Sequence, residues 1–274
     1  MLGEQDVARA ADSLVRARRE RVAVAPLRET YDGLDLDGAY AVQQAAAQRR
    51  RDEEGDRVVG HKVGLTSAAM QQMLGVDQPD FGHLWASDLV EDASPDARVP
   101  ELAADRWVAP RVEPEVAFVL ADALKGPGVT VDDVLAATRH VVASLEVIDS
   151  RVRDWDIRLV DTVADEASGG GAVLGTPAVV VDDVDLPAVE VRLLIDGEVV
   201  ETGRGDAVLG HPAEAVAWLA NTLGERGVAL EAGHLVLPGS CTRAVPVRPG
   251  QTVRAEFAGL GAGDGPGVVE VRFT

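Results

Sequence analysis

Two glutamates set two positions apart are the first residues in this chain whose types and spacing suggest chemistry. Glu113 and Glu115 stand in Arg111-Val112-Glu113-Pro114-Glu115-Val116-Ala117-Phe118-Val119, at the entrance to an apolar run. Such a run predicts a strand, and in a strand residues i and i+2 point to one face. Two carboxylates would then lie side by side, next to Val, Ala and Phe. Like charges that close repel, and burial raises both pKa values. A divalent cation relieves both penalties, and oxygen ligands favour Mg2+, Mn2+ or Ca2+ over Zn2+. Glu146 is a lone acid within Ser144-Leu145-Glu146-Val147-Ile148. A glutamate inside an apolar strand needs a partner. A third ligand on the same ion is the economical reading, with positions left open for water and substrate. The competing reading makes all three exposed strand carboxylates, paired with Arg111 or Arg151.

Two further stretches could add reactive groups. Lys62 follows Gly60-His61 at the end of an expected strand. It could hold a substrate carboxylate or donate a proton, although most lysines are surface residues. The stretch from Asp161 through Asp165, Glu166 and Gly169 to Gly171 sets acids against glycines. Glycines let a ligand approach the backbone closely, and an acidic surface turn is the plainer alternative. Gly169 to Gly171 is not followed by Lys-Ser/Thr, so it is no P-loop. The five histidines show no zinc-ligand spacing. The single cysteine, Cys241, excludes an intrachain disulfide and reads as structural.

These residues need a framework. Helical spacing predicts a helix over 5–24, with Val7, Ala10, Ala11, Leu14 and Val15 on one side. A second covers 37–54, with Ala39, Val42, Ala45 and Ala46 as its stripe and Gly55 as its stop. A strand is expected over 57–64. Thr66 or Ser67 would then cap a short helix holding Met70, Met73 and Leu74 and stopped by Gly75. Pro79-Asp80-Phe81-Gly82 reads as a turn-rich loop. A strand over 116–120 precedes a helix opened by Thr130 and carrying Val134, Leu135, Val141 and Val142. A short strand, 145–148, follows. Asp196-Gly197 is a hairpin turn between 188–195 and 198–202. A helix over 212–223 leads to strands at 235–237, 251–257 and 268–273. Helices first and strands after give an α+β layout. The expected division is a helical cap, 1–55, on a body, 56–274.

The bulk properties narrow the class. The chain has 274 residues, 46% hydrophobic and 26% charged, as in ordinary globular proteins. Its formal charge of −20 argues against nucleic acid or an anionic membrane as a partner. No basic n-region precedes an apolar segment at the start, and no apolar run approaches the roughly 20 residues that span a bilayer. A cytoplasmic protein is the expectation.

Several ordered motifs, taken together, carry a family resemblance. They are Gly60-His61-Lys62-Val63-Gly64-Leu65-Thr66, Gly75-Val76-Asp77-Gln78-Pro79-Asp80-Phe81-Gly82, Arg111-Val112-Glu113-Pro114-Glu115, and Leu145-Glu146-Val147-Ile148-Asp149-Ser150-Arg151. Asp154-Trp155, Asp161-Thr162-Val163-Ala164-Asp165 and Leu209-Gly210-His211-Pro212 complete them. The chain from about residue 57 onward, and more loosely its N-terminal helices, resembles the 2-keto-4-pentenoate hydratase family of the fumarylacetoacetate hydrolase superfamily. That resemblance implies a mixed, rolled β-sheet body with N-terminal helices, assembled into homo-oligomers. It implies addition of water to 2-hydroxypenta-2,4-dienoate, a small anionic dienol of a 2-oxo acid, to give 4-hydroxy-2-oxopentanoate in aromatic-ring degradation. It further implies Mg2+ or Mn2+ at Glu113, Glu115 and Glu146, with Lys62 and Asp80 as active-site residues. Close relatives decarboxylate 4-oxalocrotonate on the same metal platform and pair with hydratases. A decarboxylase, or a non-catalytic partner in a complex with a pathway enzyme, is therefore the alternative. At one position the chain departs from the family pattern, which usually has Asn where Glu166 stands. An amide that donates and accepts is replaced by an acceptor that can ionise. Lys62 is expected to bind carboxylate or shuttle a proton, and Asp80 or Glu166 to activate water.

Overall fold

The computed structural model describes residues 2–67, 71–72, 76–90, 99–261 and 265–274. Three helices come first. α1 spans Glu4–Glu20 and ends at Arg21, whose left-handed φ of 57° stops it short of residue 24. Val24 instead bridges to Val152, in the body. α2 is one turn, Leu27–Thr30. α3 spans Leu36–Glu54; the Asp35 side chain caps it by accepting from the Gly38 amide at 2.9 Å, and Gly55 ends it at φ 66°. Ala10, Ala11 and Leu14 of α1 and Ala39 and Val42 of α3 join the same apolar core as the strands. The Gln43 amide of α3 donates to the carbonyls of Phe81 (2.8 Å) and Val163 (2.9 Å), which ties the helix to the body by polar contacts as well.

The remaining elements follow in chain order: β1 (Val58–Gly64), β2 (Asp80–Trp85), β3 (Leu89–Val90), β4 (Glu101–Leu102), β5 (Arg111–Leu120), α4 (Val131–Ala137), β6 (Thr138–Ile148), α5 (Leu159–Ala164), β7 (Gly169–Leu174), β8 (Glu190–Ile195), β9 (Glu198–Arg204), α6 (Pro212–Glu225), β10 (Leu235–Leu237), β11 (Val245–Pro246), β12 (Thr252–Ala258) and β13 (Gly267–Phe273). Among the described residues they form two mixed sheets. The larger runs β2-β1-β10-β5-β6-β7-β3, with β11 added to β5; the smaller runs β4-β13-β12-β8-β9. A bridge between Thr176 and Val268 joins them. One face of the larger sheet, with Val112, Val116, Phe118, Leu145 and Val147, builds the main core. The other face carries a small apolar patch of Leu84, Ala117, Val142, Ala172, Leu235 and Leu237. The functional residues lie on this second face.

The α+β layout, the hairpin around Asp196-Gly197 and the helix from Pro212 hold. Three local expectations fail for one reason, long-range pairing. The 79–82 segment is not a loop, because β2 pairs along β1 from Trp85 to Asp80. The alternative of an acidic surface turn over 161–171 fails at its glycines, because Gly169–Gly171 opens β7, which pairs with β6. There a side chain on Gly170 would lie 2.8 Å from the Val147 carbonyl oxygen, and one on Gly171 would lie 2.6 Å from that of Asp88. Val141 and Val142 are not on the Thr130 helix. The capping box at Thr130 does form, but α4 ends at Ala137 and both valines lie in β6. The helix expected at Met70, Met73, Leu74 and Gly75 lies outside the described residues.

Candidate active site

Register brings the glutamates together. β5 and β6 are antiparallel, and Glu113 sits directly opposite Glu146, with Glu115 opposite Ser144. Glu113 and Glu115 share a face by strand alternation, so the three carboxylates converge. One ligand oxygen from each lies within 4.8 Å of the others. Glu115 and Glu146 are fully buried, and Glu113 is half-buried. Between β1 and β5 stands the short β10, whose last pairing with β1 sets Leu237 beside Lys62. The chain then turns at Gly239, whose amide donates to Glu115 Oε2 at 2.8 Å. Lys62 and Glu115 thus stand where β10 has ended and the sheet is open.

Lys62 is buried on β1. Its ammonium donates to the Ala167 carbonyl at 3.0 Å and lies 3.4 Å from Glu146 Oε1. Asp80 comes from β2 opposite Gly64. A Cβ on Gly64 would fall 2.2 Å from Asp80 Oδ1 and 3.4 Å from Lys62 Nζ, so the two side chains meet over a residue that has none. The structure therefore assembles five of the six candidate residues: Lys62, Asp80, Glu113, Glu115 and Glu146.

The electrostatics of the cluster are those of a site short of positive charge. Burial lifts Glu115 well above the carboxylate range, and Glu146 and Glu113 add to the shift. Burial pushes Glu146 up to about 7, against the pull of Lys62. Glu113 and Asp80 are also raised by burial, with Lys62 opposing. Burial alone would lower the Lys62 ammonium, but Glu146, Asp80, Glu113 and Glu115 together push it up. Among the described residues, Glu115 Oε1 and both oxygens of Glu146 are buried without a hydrogen-bond partner. Buried acceptors left in that state are costly. Arg111 does not relieve them: its guanidinium lies 4.3 Å above the Trp155 ring, whose Nε1 is held by the Ala109 carbonyl at 3.0 Å. Arg151 is paired with Asp165 at 2.5 Å. Glu113 does feel Arg111, which opposes its burial shift, but Glu115 and Glu146 are fully buried, so the reading of exposed glutamates neutralised by these arginines fails for them. An all-carboxylate cluster with orphaned oxygens fits a hard divalent cation.

The sixth candidate is placed differently. Glu166 follows α5, at the start of three consecutive residues with left-handed φ: Glu166 57°, Ala167 48° and Ser168 57°. Its backbone crosses the site face at Gly82, where a Cβ would come within 2.2 Å of the Glu166 carbonyl oxygen. Its carboxylate passes the outer edge of β2, accepts from the His83 amide at 3.1 Å and lies 2.8 Å from His83 Nδ1. Burial pushes Glu166 up, but His83 and Arg151 more than offset it and hold it below the usual range. His83 carried no signal in the sequence, since its partner is 83 positions away. Cys241 is buried and free, its amide donating to the Pro114 carbonyl at 3.2 Å. Burial pushes its thiol up, as befits a structural cysteine.

Comparison with known proteins now adds to this geometry. The C-terminal domain model of fumarylacetoacetate hydrolase matches residues 62–265. The chain belongs to the fumarylacetoacetate hydrolase family. Within that family it is 44% identical over 262 residues to a 2-keto-4-pentenoate hydratase of Burkholderia vietnamiensis, covering 96% of this chain and 97% of that protein. It is 42% identical over 248 residues to a 2-hydroxyhexa-2,4-dienoate hydratase of Comamonas testosteroni, covering 90% and 92%. Among solved structures, 4-oxalocrotonate decarboxylase from Pseudomonas putida G7, complexed with magnesium and adipate, superimposes with a TM-score of 0.91 at 34% identity, over 100% of this chain and 99% of that one. No helix among the described residues is long and apolar enough to cross a membrane.

Proposed function

We propose that this chain is a divalent-metal-dependent hydratase that adds water to 2-hydroxypenta-2,4-dienoate or a close analogue, giving a 4-hydroxy-2-oxo acid. The observation that carries the reading is the convergence of Glu113, Glu115 and Glu146, with orphaned oxygens, beside Lys62 and Asp80. The near-full-length likeness to hydratases supports the choice of reaction. Glu113, Glu115 and Glu146 would hold Mg2+ or Mn2+. Bound there, the ion supplies Lewis acidity and positive charge for the 2-oxo acid end of the substrate. Lys62, fixed by the Ala167 carbonyl and Glu146, grips the carboxylate or carries the proton of tautomerisation. Asp80, beside Lys62 and raised by burial, is the group placed to exchange a proton with the attacking water. The Glu166 carboxylate is already engaged by His83, so the base role falls to Asp80.

Decarboxylation of 4-oxalocrotonate is the second reading, favoured by the structural likeness to a decarboxylase. Assembly into a homo-oligomer, with room for a pathway enzyme, belongs to the same proposal; the exposed Val199 and Val200 on the outer strand β9 support it. Turnover of 2-hydroxypenta-2,4-dienoate and 4-oxalocrotonate, with and without Mg2+ or Mn2+, tests the function. Metal-dependent 4-hydroxy-2-oxopentanoate is expected. Release of CO2 from 4-oxalocrotonate alone would select the decarboxylase. No turnover of either substrate by the metal-loaded protein would leave a non-catalytic partner.

A further inference from the structure

The Glu166–His83 pair lies outside the glutamate cluster, yet Glu166 directly precedes Ala167, whose carbonyl accepts from Lys62. The segment 165–168 is anchored at both ends by other groups. Asp165 receives the Arg151 amide at 2.8 Å and its Nε at 2.5 Å. The Ser168 amide donates to the Asp165 carbonyl at 2.9 Å, the Ser168 carbonyl accepts from the Asp149 amide at 2.8 Å, and its hydroxyl lies 3.1 Å from that of Thr162. The middle of the segment has fewer ties. The Glu166 carbonyl accepts from the Gly169 amide and its side chain is held by His83, while Ala167 is held through its carbonyl by Lys62. Left-handed φ is unfavourable for any residue with a Cβ, and three in succession persist only where the surroundings impose them.

We propose that Glu166 is a positioning residue: its carboxylate, latched to the amide and ring of His83, holds the 166–168 turn so that the Ala167 carbonyl fixes the Lys62 ammonium against Glu146. This rests on the functional reading above, in which Lys62 acts on the substrate. The latch explains how an acid is tolerated so near an anionic site, because its charge is spent at the far edge of β2. It also accounts for Gly82, since a side chain there would displace the Glu166 carbonyl. Glu166 acts through Lys62 and touches no reacting atom.

The test compares wild type, Glu166→Ala and Glu166→Gln by crystallography, metal calorimetry and kinetics. Glu166→Ala should fold, because both ends of the turn keep their anchors. Its kcat should fall about tenfold, with KM and metal affinity changed by less than about threefold. In its crystal structure the Ala167 oxygen should move beyond hydrogen-bond reach of Lys62 Nζ, roughly 3.5 Å. Glu166→Gln keeps an oxygen for the His83 amide and should restore both the contact and kcat. The latch is overturned if Glu166→Ala keeps the Lys62–Ala167 contact or full kcat. It is equally overturned if Gln fails to rescue, which would give the charge itself a role. Loss of folding or of metal affinity in Glu166→Ala would also overturn it, making the residue merely structural. If wild type turns over neither substrate, the functional reading falls, and the crystallographic comparison still decides the latch.

Discussion

Two groups of buried acids lie within one hydrogen-bonded step of each other, and they are opposites. In the 161–166 segment every carboxylate has its partner. Asp161 accepts from the Arg28 amide and guanidinium at 3.0 and 2.7 Å and from the Arg158 amide at 2.9 Å. Asp165 is paired with Arg151, although burial still pushes it up to about 7, and Glu166 with His83. In the β5–β6 group, Glu115 has one amide donor, Glu146 has the ammonium of Lys62 nearby, and three oxygens have no hydrogen bond among the described residues. Burial by itself therefore does not mark a functional acid. Satisfied acids fasten the chain; unsatisfied ones store a demand for positive charge that a cation can meet. Lys62 joins the groups, with Glu146 on one side and the Ala167 carbonyl on the other.

The contrast is broken most forcefully at the ligands. Glu115→Gln or Glu146→Gln should lower turnover by about a thousandfold, the scale of losing a preorganised electrostatic group. Calorimetry should show metal affinity collapsing in both. In EDTA the same variants should melt close to wild type, since each replaces an acid whose charged form burial disfavours. Wild-type metal affinity in either would mean the glutamates do not share an ion. Lys62→Met should retain fold and metal but lose about a hundredfold in kcat/KM; near-normal kcat/KM would remove Lys62 from the mechanism.

pH sharpens the comparison in the metal-free protein. The folded-state pKa of Glu146 is raised from 4.5 to about 7. Between those values the folded chain binds more protons than the unfolded one, so stability falls as pH rises through that window. Asp165, which burial also pushes up to about 7, adds to that decline. Urea titrations in EDTA should show stability falling as pH rises to 7, and saturating Mn2+ should remove the part that belongs to the glutamate cluster while leaving that of Asp165. A flat profile would mean that the cluster is already neutralised. The smallest effect belongs to the satisfied group. Asp161→Asn should cost about 2 kcal/mol, from weakened charge-assisted bonds, and should leave metal affinity unchanged. A shift in metal binding there would erase the distinction between the two groups.

What the sequence by itself determined was local. Gly55 ends α3 as its place after the helical stripe predicted, because helix-stop chemistry acts over one turn. Asp196-Gly197 closes a hairpin because a two-residue turn needs left-handed backbone there. Glu113 and Glu115 share a face because strand alternation is a property of one strand. The motifs of the resemblance placed Lys62, Asp80 and Glu146 in the candidate site without saying how they meet. Tertiary structure alone decided the rest. Only the β5–β6 register sets Glu113 against Glu146, since a slip of one residue would send Glu146 to the opposite face. β2 read as a turn-rich loop, and the glycines that open β7 as part of a ligand-approach stretch or an acidic turn, because these glycines answer to close backbone approach, such as Gly82 against the Glu166 carbonyl, which no short window contains. The direction of Glu166 was hidden for the same reason. Its acidity and its place beside the motif suggested a catalytic group, but a side chain turns toward the partner that satisfies it, and His83 lies on a strand 83 positions earlier.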